Sequence, residues 1–501
     1  MTIHTQYILS IDQGTTGTTA SIVDHDGNIY CKSYKEITQY YPNPGWVEHD
    51  PLEIYDSVLT TVKDVIAKSG ISINQILGIG ITNQRETTIV WDKNSGKPIY
   101  NAIVWQCRRT TDICEFISKD NNRPNIKNIT GLPLDPYFSA TKIKWILEQI
   151  PDAIQKSKLG HLLFGTVDSW LIWNLTGGKK HVTDVSNASR TMLFDIQKLQ
   201  WDAQILDYLS IPLNMMPEII ESSGYVAMTA PNHAIPYEIP ICGIAGDQQS
   251  SLFGQCCHYP GMAKVTYGTG AFILNNTGES IIRSECGLIS TVGWKINGKV
   301  TYVIEGAVFS AGATVQWLRD EMKIIKTSSD IELFASKVED NGGVYLVPAF
   351  TGLGAPYWDM RARGTISGLT RGSNRYHLAR ACLESIAFQA NDIFQLMETE
   401  TGHMLSEVRV DGGASDNNLL MQFQSDITNR FFYKSETTES TSLGAAFLAG
   451  LALGYWDSLE SINDVWSFKS KYQPSMDSEY RLKLLNNWNK AISRSKNWEQ
   501  E

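Results

Sequence analysis

An α/β protein built from two similar halves is what the sequence predicts, on three observations. Apolar runs of strand length alternate with longer segments whose apolar residues recur at helical spacing. A strand, Gly/Thr turn, strand unit opens the chain at YILSI (7–11), a turn over 12–17 and TTASIV (18–23). The same unit recurs as AKVTY (263–267), Gly268-Thr269-Gly270 and AFILNN (271–276). An internal repeat of this kind constrains architecture more than any single element.

Taken in order, TTASIV is followed by an Asp26-Gly27 hairpin signal and a third strand, NIYCKSY. A helix is predicted over 50–68: Asp50 and Glu53 form a capping pair, and Pro51 stands at the first helical position. Ile54, Val58, Val62 and Val65 make the apolar stripe, and Gly70 stops it. LGIGIT (77–82) reads as a buried strand, as do VYLVPAF (344–350) and VRV (408–410). Residues 376–398 and 441–453 read as helices. The division falls near 250–260, giving halves of 1–254 and 255–501. At roughly 100–200 residues per domain, 501 residues suit two or three domains.

Composition narrows the function. A formal net charge of −10 gives no broad attraction for phosphate backbones, so the protein is not a general nucleic-acid binder. MTIHTQYILSIDQG has neither a basic n-region nor a long apolar h-region. LGAAFLAGLALG (443–454) falls short of the roughly 20 residues that span a membrane. The eight cysteines are scattered with no C-x-x-C pair, as buried thiols of a reducing compartment, and the histidines show no zinc-ligand spacing. A cytoplasmic protein without membrane insertion is expected.

The chemistry-bearing residues cluster at strand ends. Asp12-Gln13-Gly14-Thr15-Thr16-Gly17 places glycines, hydroxyls and a carboxylate after a buried strand, where backbone N–H groups can face an anion. Either turn alone is an ordinary hairpin; two such turns across a cleft could grip a polyphosphate, with Asp12 holding Mg²⁺ through water. No Walker A loop competes, because Gly96-Lys97, Gly178-Lys179 and Gly298-Lys299 all lack the following Ser/Thr. DGGASDNN (411–418), after VRV, is either a common turn or a strand, Gly-Gly, helix start that brings backbone close to a flat ligand, with Asn417 near the helix N-terminus. Asn83-Gln84-Arg85-Glu86 supplies fixed donors and a strong acceptor for neighbouring hydroxyls, or else an exposed charged hairpin tip. In IAGDQQSS (244–251), Asp247 can serve as general base towards a hydroxyl, cap the next helix, or both.

These motifs, with YPNPGWVEHDP, GKPIYNAIVWQCRRT, VTDVSNASRTMLF, EGAVFSAGA, VPAFTGLGAPYWD and MQFQSDI, resemble the FGGY family of carbohydrate kinases through nearly the whole chain, and within it the members acting on glycerol. The resemblance implies two actin-like (ribonuclease-H-like) domains flanking a cleft, 1–254 with the glycerol site and first phosphate turn and 255–501 with the nucleotide site, ATP-dependent phosphorylation of glycerol to sn-glycerol 3-phosphate, and a homodimer or homotetramer. It assigns the glycerol hydroxyls to Arg85, Glu86, Tyr137, Asp247 and Gln248, with Trp105 and Phe272 against the carbon chain and Asp247 as base. It assigns the nucleotide to Thr15, Thr16, Gly17, Thr269, Gly312, Gln316, Gly413 and Asn417, and Mg²⁺ to Asp12. Three departures stand out. Thr19 occupies a position where the family usually has a phosphate-facing arginine, which implies weaker nucleotide binding. APNHAIPYEIP lacks the arginine through which some bacterial members bind fructose 1,6-bisphosphate, and PSMDSEYR (474–481) differs from the regulatory-partner segment of enterobacterial members. The rival readings are a kinase of a pentulose or erythritol, an actin- or chaperone-like ATPase on the same fold, and a non-catalytic glycerol sensor.

Overall fold

The computed structural model describes residues 6–405 and 407–499. The opening unit forms an antiparallel meander of β1 (Tyr7–Gln13), β2 (Gly17–Val23) and β3 (Ile29–Glu36). Ile8, Leu9 and Ile11 are completely buried, which fixes the register of the meander against the core. The turn is tighter than 12–17: the strands run to Gln13 and from Gly17, where Gly14 N–H donates to the Gly17 carbonyl at 2.9 Å.

Helix α1 (Pro51–Ser69) follows, capped by Asp50, whose carboxylate accepts Leu52 N–H at 2.8 Å. Ile54, Val58, Val62 and Val65 are fully buried, and Gly70 ends the helix at φ 69°. The predicted capping pair is not reciprocal. Glu53 accepts instead from Thr38 N–H (3.0 Å) and Oγ1 (2.9 Å), a tertiary partner that competes successfully with the local one.

Strand β4 (Ile76–Asn83) lies parallel to β1, and β6 (Pro240–Gly246) lies parallel to β4, with β5 (Ser223–Met228) antiparallel on β6. The second half contributes β7 (Met262–Tyr267), β8 (Ala271–Gly278), β9 (Ile289–Ile296), β10 (Lys299–Val308), β11 (Glu407–Gly412), β12 (Phe432–Ser435) and β13 (Phe468–Tyr472). The thirteen strands form one sheet in the order β13-β12-β11-β7-β8-β10-β9-β5-β6-β4-β1-β2-β3. Within it the order β3-β2-β1-β4-β6 is matched by β10-β8-β7-β11-β12: a three-stranded antiparallel meander extended by two parallel strands. The repeat visible in sequence is thus a repeat of topology. Within the sheet, among the described residues, the two halves are joined by one parallel bridge, Ser223 to Ile296.

The helices that position the site are α2 (Asp247–Gly254), α3 (Gly312–Asp320), α4 (Arg375–Thr401), α5 (Asn418–Thr428) and α6 (Ser440–Ala452). Helix α6 carries the apolar run 443–454, and it packs on β1, β4, β6 and α2, across from the half that precedes it in sequence. That approach is so close that a Cβ on Gly444 would lie 1.8 Å from the Ser250 carbonyl, and one on Gly80 2.0 Å from that of Ala445. Among the described residues no helix is long and apolar enough to cross a membrane.

Two expectations need correction. VYLVPAF is a strand only over Tyr345–Val347, paired with Thr365–Ser367 outside the main sheet. Pro348 lacks the N–H needed to continue the ladder. All eight cysteines are free, but Cys286 is exposed rather than buried.

Candidate active site

The parallel strands β1, β4 and β6 end side by side, at Gln13, Asn83 and Gly246. Carboxyl ends of parallel strands are where open α/β sheets bind ligands. The segment Asn83-Gln84-Arg85-Glu86 is not an exposed tip; all four residues are buried. Their polar atoms are matched: Asn83 exchanges hydrogen bonds with Asn187 at 3.0 and 3.1 Å, and Gln84 Nε2 donates to Gln13 Oε1 at 3.0 Å. Glu86 holds a left-handed φ of 61°, with Ser139 Oγ donating to its carbonyl at 2.9 Å. Such strained backbone in a bulky residue persists only where its surroundings enforce it.

Arg85 and Glu86 belong to a closed ring of buried charges. Arg85 donates to both carboxylate oxygens of Glu305, at 2.7 and 3.2 Å, and its Nε lies 3.2 Å from Asp247 Oδ1. Arg190 donates to Glu86 at 2.6 Å and to Glu305 at 3.3 Å. Two guanidiniums therefore balance two carboxylates away from water. Burial alone would raise the Glu305 carboxyl, but Arg190 and Arg85 bring it down to about 2. For Glu86, burial outweighs the same two arginines and the shift is upward. Buried ion pairs are a poor source of stability; here they fix the direction of the Arg85 and Glu86 side chains.

Asp247 differs from its neighbours in reaching solvent, with 28% of its side chain exposed. It is the first residue of α2, and its carboxylate accepts the adjacent Gln248 N–H at 2.7 Å rather than capping the helix from the preceding position. Burial raises its carboxyl above the ordinary value, against the pull of Arg85 and Lys264. Tyr137 and Trp105 meet edge to face at 5.6 Å between ring centres, both half-buried, and the Arg190 guanidinium lies 5.5 Å from the Tyr137 ring centre. Trp105 is not plain core: its Nε1 donates to Thr15 Oγ1 at 2.9 Å, tying the aromatic wall to the first Gly/Thr turn.

Register brings the second half in. Lys264, Leu274 and Glu305 are directly opposed across β7, β8 and β10, and Thr266, Phe272 and Ala307 form the next row on the same face. Half-buried Phe272 therefore shares a face with the carboxylate that grips Arg85. Gln248 joins the same cluster by accepting from Lys264 Nζ at 2.6 Å.

The remaining residues form two groups. Thr15, Thr16 and Gly17 lie in the first half, beside Asp12. Burial, with the nearby carboxylates of Asp247 and Glu439, raises Asp12 to about 8. In the second half the Thr269 carbonyl accepts Ala311 and Ala313 N–H at 3.0 and 2.9 Å, which places the Gly268–Gly270 turn against the start of α3. A Cβ on Gly312 would lie 2.6 Å from the Gly268 carbonyl, so backbone meets backbone there. Gly413 is exposed with open space around it, Asn417 caps α5 by accepting Leu420 N–H at 2.9 Å, and Gln316 is exposed on α3. Among the described residues no hydrogen bond joins the first turn to the second.

Glu305, Arg190 and Lys264 were not singled out in the sequence, although EGAVFSAGA, SNASRTMLF and AKVTY contain them. The signal available was a lone charge beside strand-like residues at Glu305 and Lys264, and for Arg190, set among Ser, Asn and Thr, there was none.

Similarity to known proteins agrees with this geometry. The matched half-sheets are those of two actin-like, ribonuclease-H-like domains, the architecture of the sugar kinases that share the fold. The models of the FGGY family of carbohydrate kinases, N-terminal and C-terminal domains, match residues 7–254 and 263–453. The chain belongs to the FGGY family of carbohydrate kinases. It is 53% identical over 496 residues to a glycerol kinase of Carboxydothermus hydrogenoformans, covering 99% of both chains. It is 55% identical over 497 residues to one of Clostridium beijerinckii, covering 99% and 100%. The crystal structure of Plasmodium falciparum glycerol kinase with ADP is 41% identical, covers 98% of each chain and superposes with a TM-score of 0.93. A xylulose kinase of Lactobacillus acidophilus, 22% identical with a TM-score of 0.86, shares the fold alone.

Kinases of this family use ATP, with Mg²⁺ as the usual metal partner. Among the described residues no three acidic, His or Cys side chains gather into a ready-made metal cluster. Asp12, raised by burial and by the carboxylates of Asp247 and Glu439, is the carboxylate beside the first turn whose charge a divalent cation would offset.

Proposed function

We propose that this chain transfers the terminal phosphoryl group of ATP to glycerol, giving sn-glycerol 3-phosphate, with Asp247 as general base. Arg85 and Glu86 hold the glycerol hydroxyls with Tyr137 and Gln248, and Trp105 and Phe272 pack on the carbon chain. Thr15, Thr16, Gly17, Thr269, Gly312, Gln316, Gly413 and Asn417 hold the nucleotide. Asp12 holds Mg²⁺, which when bound neutralises phosphate charge. Residues 1–254 and 255–501 are the two domains, in a homodimer or homotetramer of the cytoplasm.

One observation carries this reading: Arg85, rigidly held by Glu305, points its Nε at the solvent-reaching Asp247 carboxylate at 3.2 Å. A polyol seated there meets donor and acceptor together, and a site built to bond hydroxyls penalises their absence. Asp247 accepts the hydroxyl proton as the new O–P bond forms and the bond to the bridging oxygen of ADP breaks. Phosphoryl transfer requires alignment and charge neutralisation more than a protein nucleophile. The test is coupled ADP release with glycerol, dihydroxyacetone, xylulose and no acceptor, for the wild type and Asp247→Asn. Glycerol-dependent release lost in Asp247→Asn is expected; equal release without acceptor, or a preference for xylulose, refutes the reading.

A further inference from the structure

Lys264 is fully buried on β7, yet among the described residues it forms no ion pair. Its Nζ donates to Gln248 Oε1 at 2.6 Å and to Thr266 Oγ1 at 2.8 Å. An ammonium withdrawn from water without a contacting carboxylate is costly. The charges that face it stand further off: Asp411 on β11, Asp247 on α2, Arg85 after β4 and Glu305 on β10. Arg409 is its neighbour across the β7–β11 ladder. Lys264 thus lies at the seam of the two halves, next to the residue that adjoins the base.

An ammonium can only donate, so its contact fixes which end of the Gln248 amide is which. The carbonyl oxygen is taken by Lys264, and the NH₂ end faces away from it. Half-exposed Gln248 therefore turns its N–H₂ donors away from Lys264, beside Asp247.

We propose that Lys264 is a positioning residue for the transfer: it locks the Gln248 amide so that its N–H₂ meets an oxygen of the bound alcohol, and it holds a fixed positive charge beside Asp247. This rests on the reaction assigned above. It asks nothing of Lys264 as a ligand of substrate; its action passes through Gln248 and through the field at the base. Burial pulls the ammonium down to about 8, against Asp411 and Asp247, so the positive charge is lost as pH rises through that value, and the neutral amine, able to accept as well as donate, no longer fixes the Gln248 amide.

Three variants test it by steady-state ADP release and pH profile. Gln248→Glu leaves Lys264 a partner but removes the donor, and should lower kcat/KM for glycerol about 10- to 100-fold, the loss of one hydrogen bond to a charged or fixed group. Lys264→Met should lower kcat by a similar factor, and Lys264→Arg should recover most of it and move the alkaline limb of the profile upward, because a guanidinium does not deprotonate. Gln248→Glu with kcat/KM within about twofold of wild type overturns the proposal, as does Lys264→Met with unchanged kcat. Should Lys264→Met not fold, an alkaline limb in Lys264→Arg unmoved from its wild-type position overturns it equally. No glycerol-dependent release from the wild type refutes the assigned reaction itself. Normal wild-type turnover with indifferent variants refutes only the role of Lys264.

Discussion

Glu305→Gln removes one negative charge from the buried ring while keeping the shape of the side chain. Glu305 accepts hydrogen bonds from guanidinium nitrogens at 2.7, 3.2 and 3.3 Å, two from Arg85 and one from Arg190. A glutamine offers one accepting oxygen in place of two, and its NH₂ faces a donor. Hydrogen bonds to charged groups contribute about 1.5–3 kcal/mol each, against about 0.5–1.5 for neutral ones. Losing one bond and weakening the others amounts to about 2–4 kcal/mol. Were all of it expressed in the transition state, kcat/KM for glycerol would fall about 30- to 1,000-fold, at 1.36 kcal/mol per tenfold. Part will be expressed as stability instead, so a loss of at least about tenfold is expected in glycerol kcat/KM, with the KM for ATP little changed. The assay is coupled ADP release against glycerol at saturating ATP, with thermal unfolding in parallel. Stability also acquires a pH signature. The folded carboxyl titrates at about 2 against 4.5 for an ordinary glutamate, so its contribution is fully present above 4.5 and is lost as pH falls towards 2. The variant should lack that part of the acid destabilisation. A folded Glu305→Gln protein with glycerol kcat/KM within about threefold of wild type refutes the reasoning.

Other outcomes follow from the same geometry. Thr19, half-buried and opposite Asp12 in the β1–β2 ladder, leaves the first turn without an arginine, so Thr19→Arg should lower the KM for ATP; an unchanged KM refutes this. Trp105→Phe keeps the aromatic wall but deletes the 2.9 Å bond to Thr15, and should raise the KM for ATP about 2- to 10-fold, read from ATP titrations at saturating glycerol. Gly444→Ala forces a methyl against the Ser250 carbonyl and should destabilise by about 1–3 kcal/mol or more in urea unfolding, although it touches no substrate. The 230–240 segment has no arginine, and its Asn232 side-chain Oδ1 is occupied by Ala234 and Ile235 N–H at 2.9 Å each, so fructose 1,6-bisphosphate should leave initial rates unchanged.

What the sequence disclosed depended on how local the physics was. The opening strand–turn–strand unit and α1 were legible because their apolar periodicity, glycine stops and Asp50 cap are contained within a few residues. Glu53 misled because its partner, Thr38, comes from outside the helix. VYLVPAF misled because a proline inside an apolar run shortens a strand without changing its hydropathy. At the site, Arg85, Glu86 and Asp247 stood out as polar residues just beyond buried strands. Glu305 and Arg190 did not, because the ring joins residues 104, 115 and 220 positions apart, and an isolated charge carries no record of its partner. Lys264 was hidden for the same reason, as one cation in a strand whose function depends on a glutamine 16 residues earlier.

These long-range pairs also bear on the proposed alcohol site, whose residues come from both halves rather than from the first alone. Arg85, Glu86 and Asp247 come from the ends of β4 and β6, whereas Glu305, Phe272 and Lys264 come from one face of the second meander. Glycerol resembles water in the chemistry it offers, so a carboxylate and a phosphate brought together in the open would activate solvent as readily as substrate. With Glu305 orienting Arg85 from across the seam, the donors proposed to recognise a hydroxyl are aligned by contact between the two halves. Selection of the alcohol and exclusion of water then come from the same contact, which couples the two requirements of a kinase whose acceptor is a small polyol.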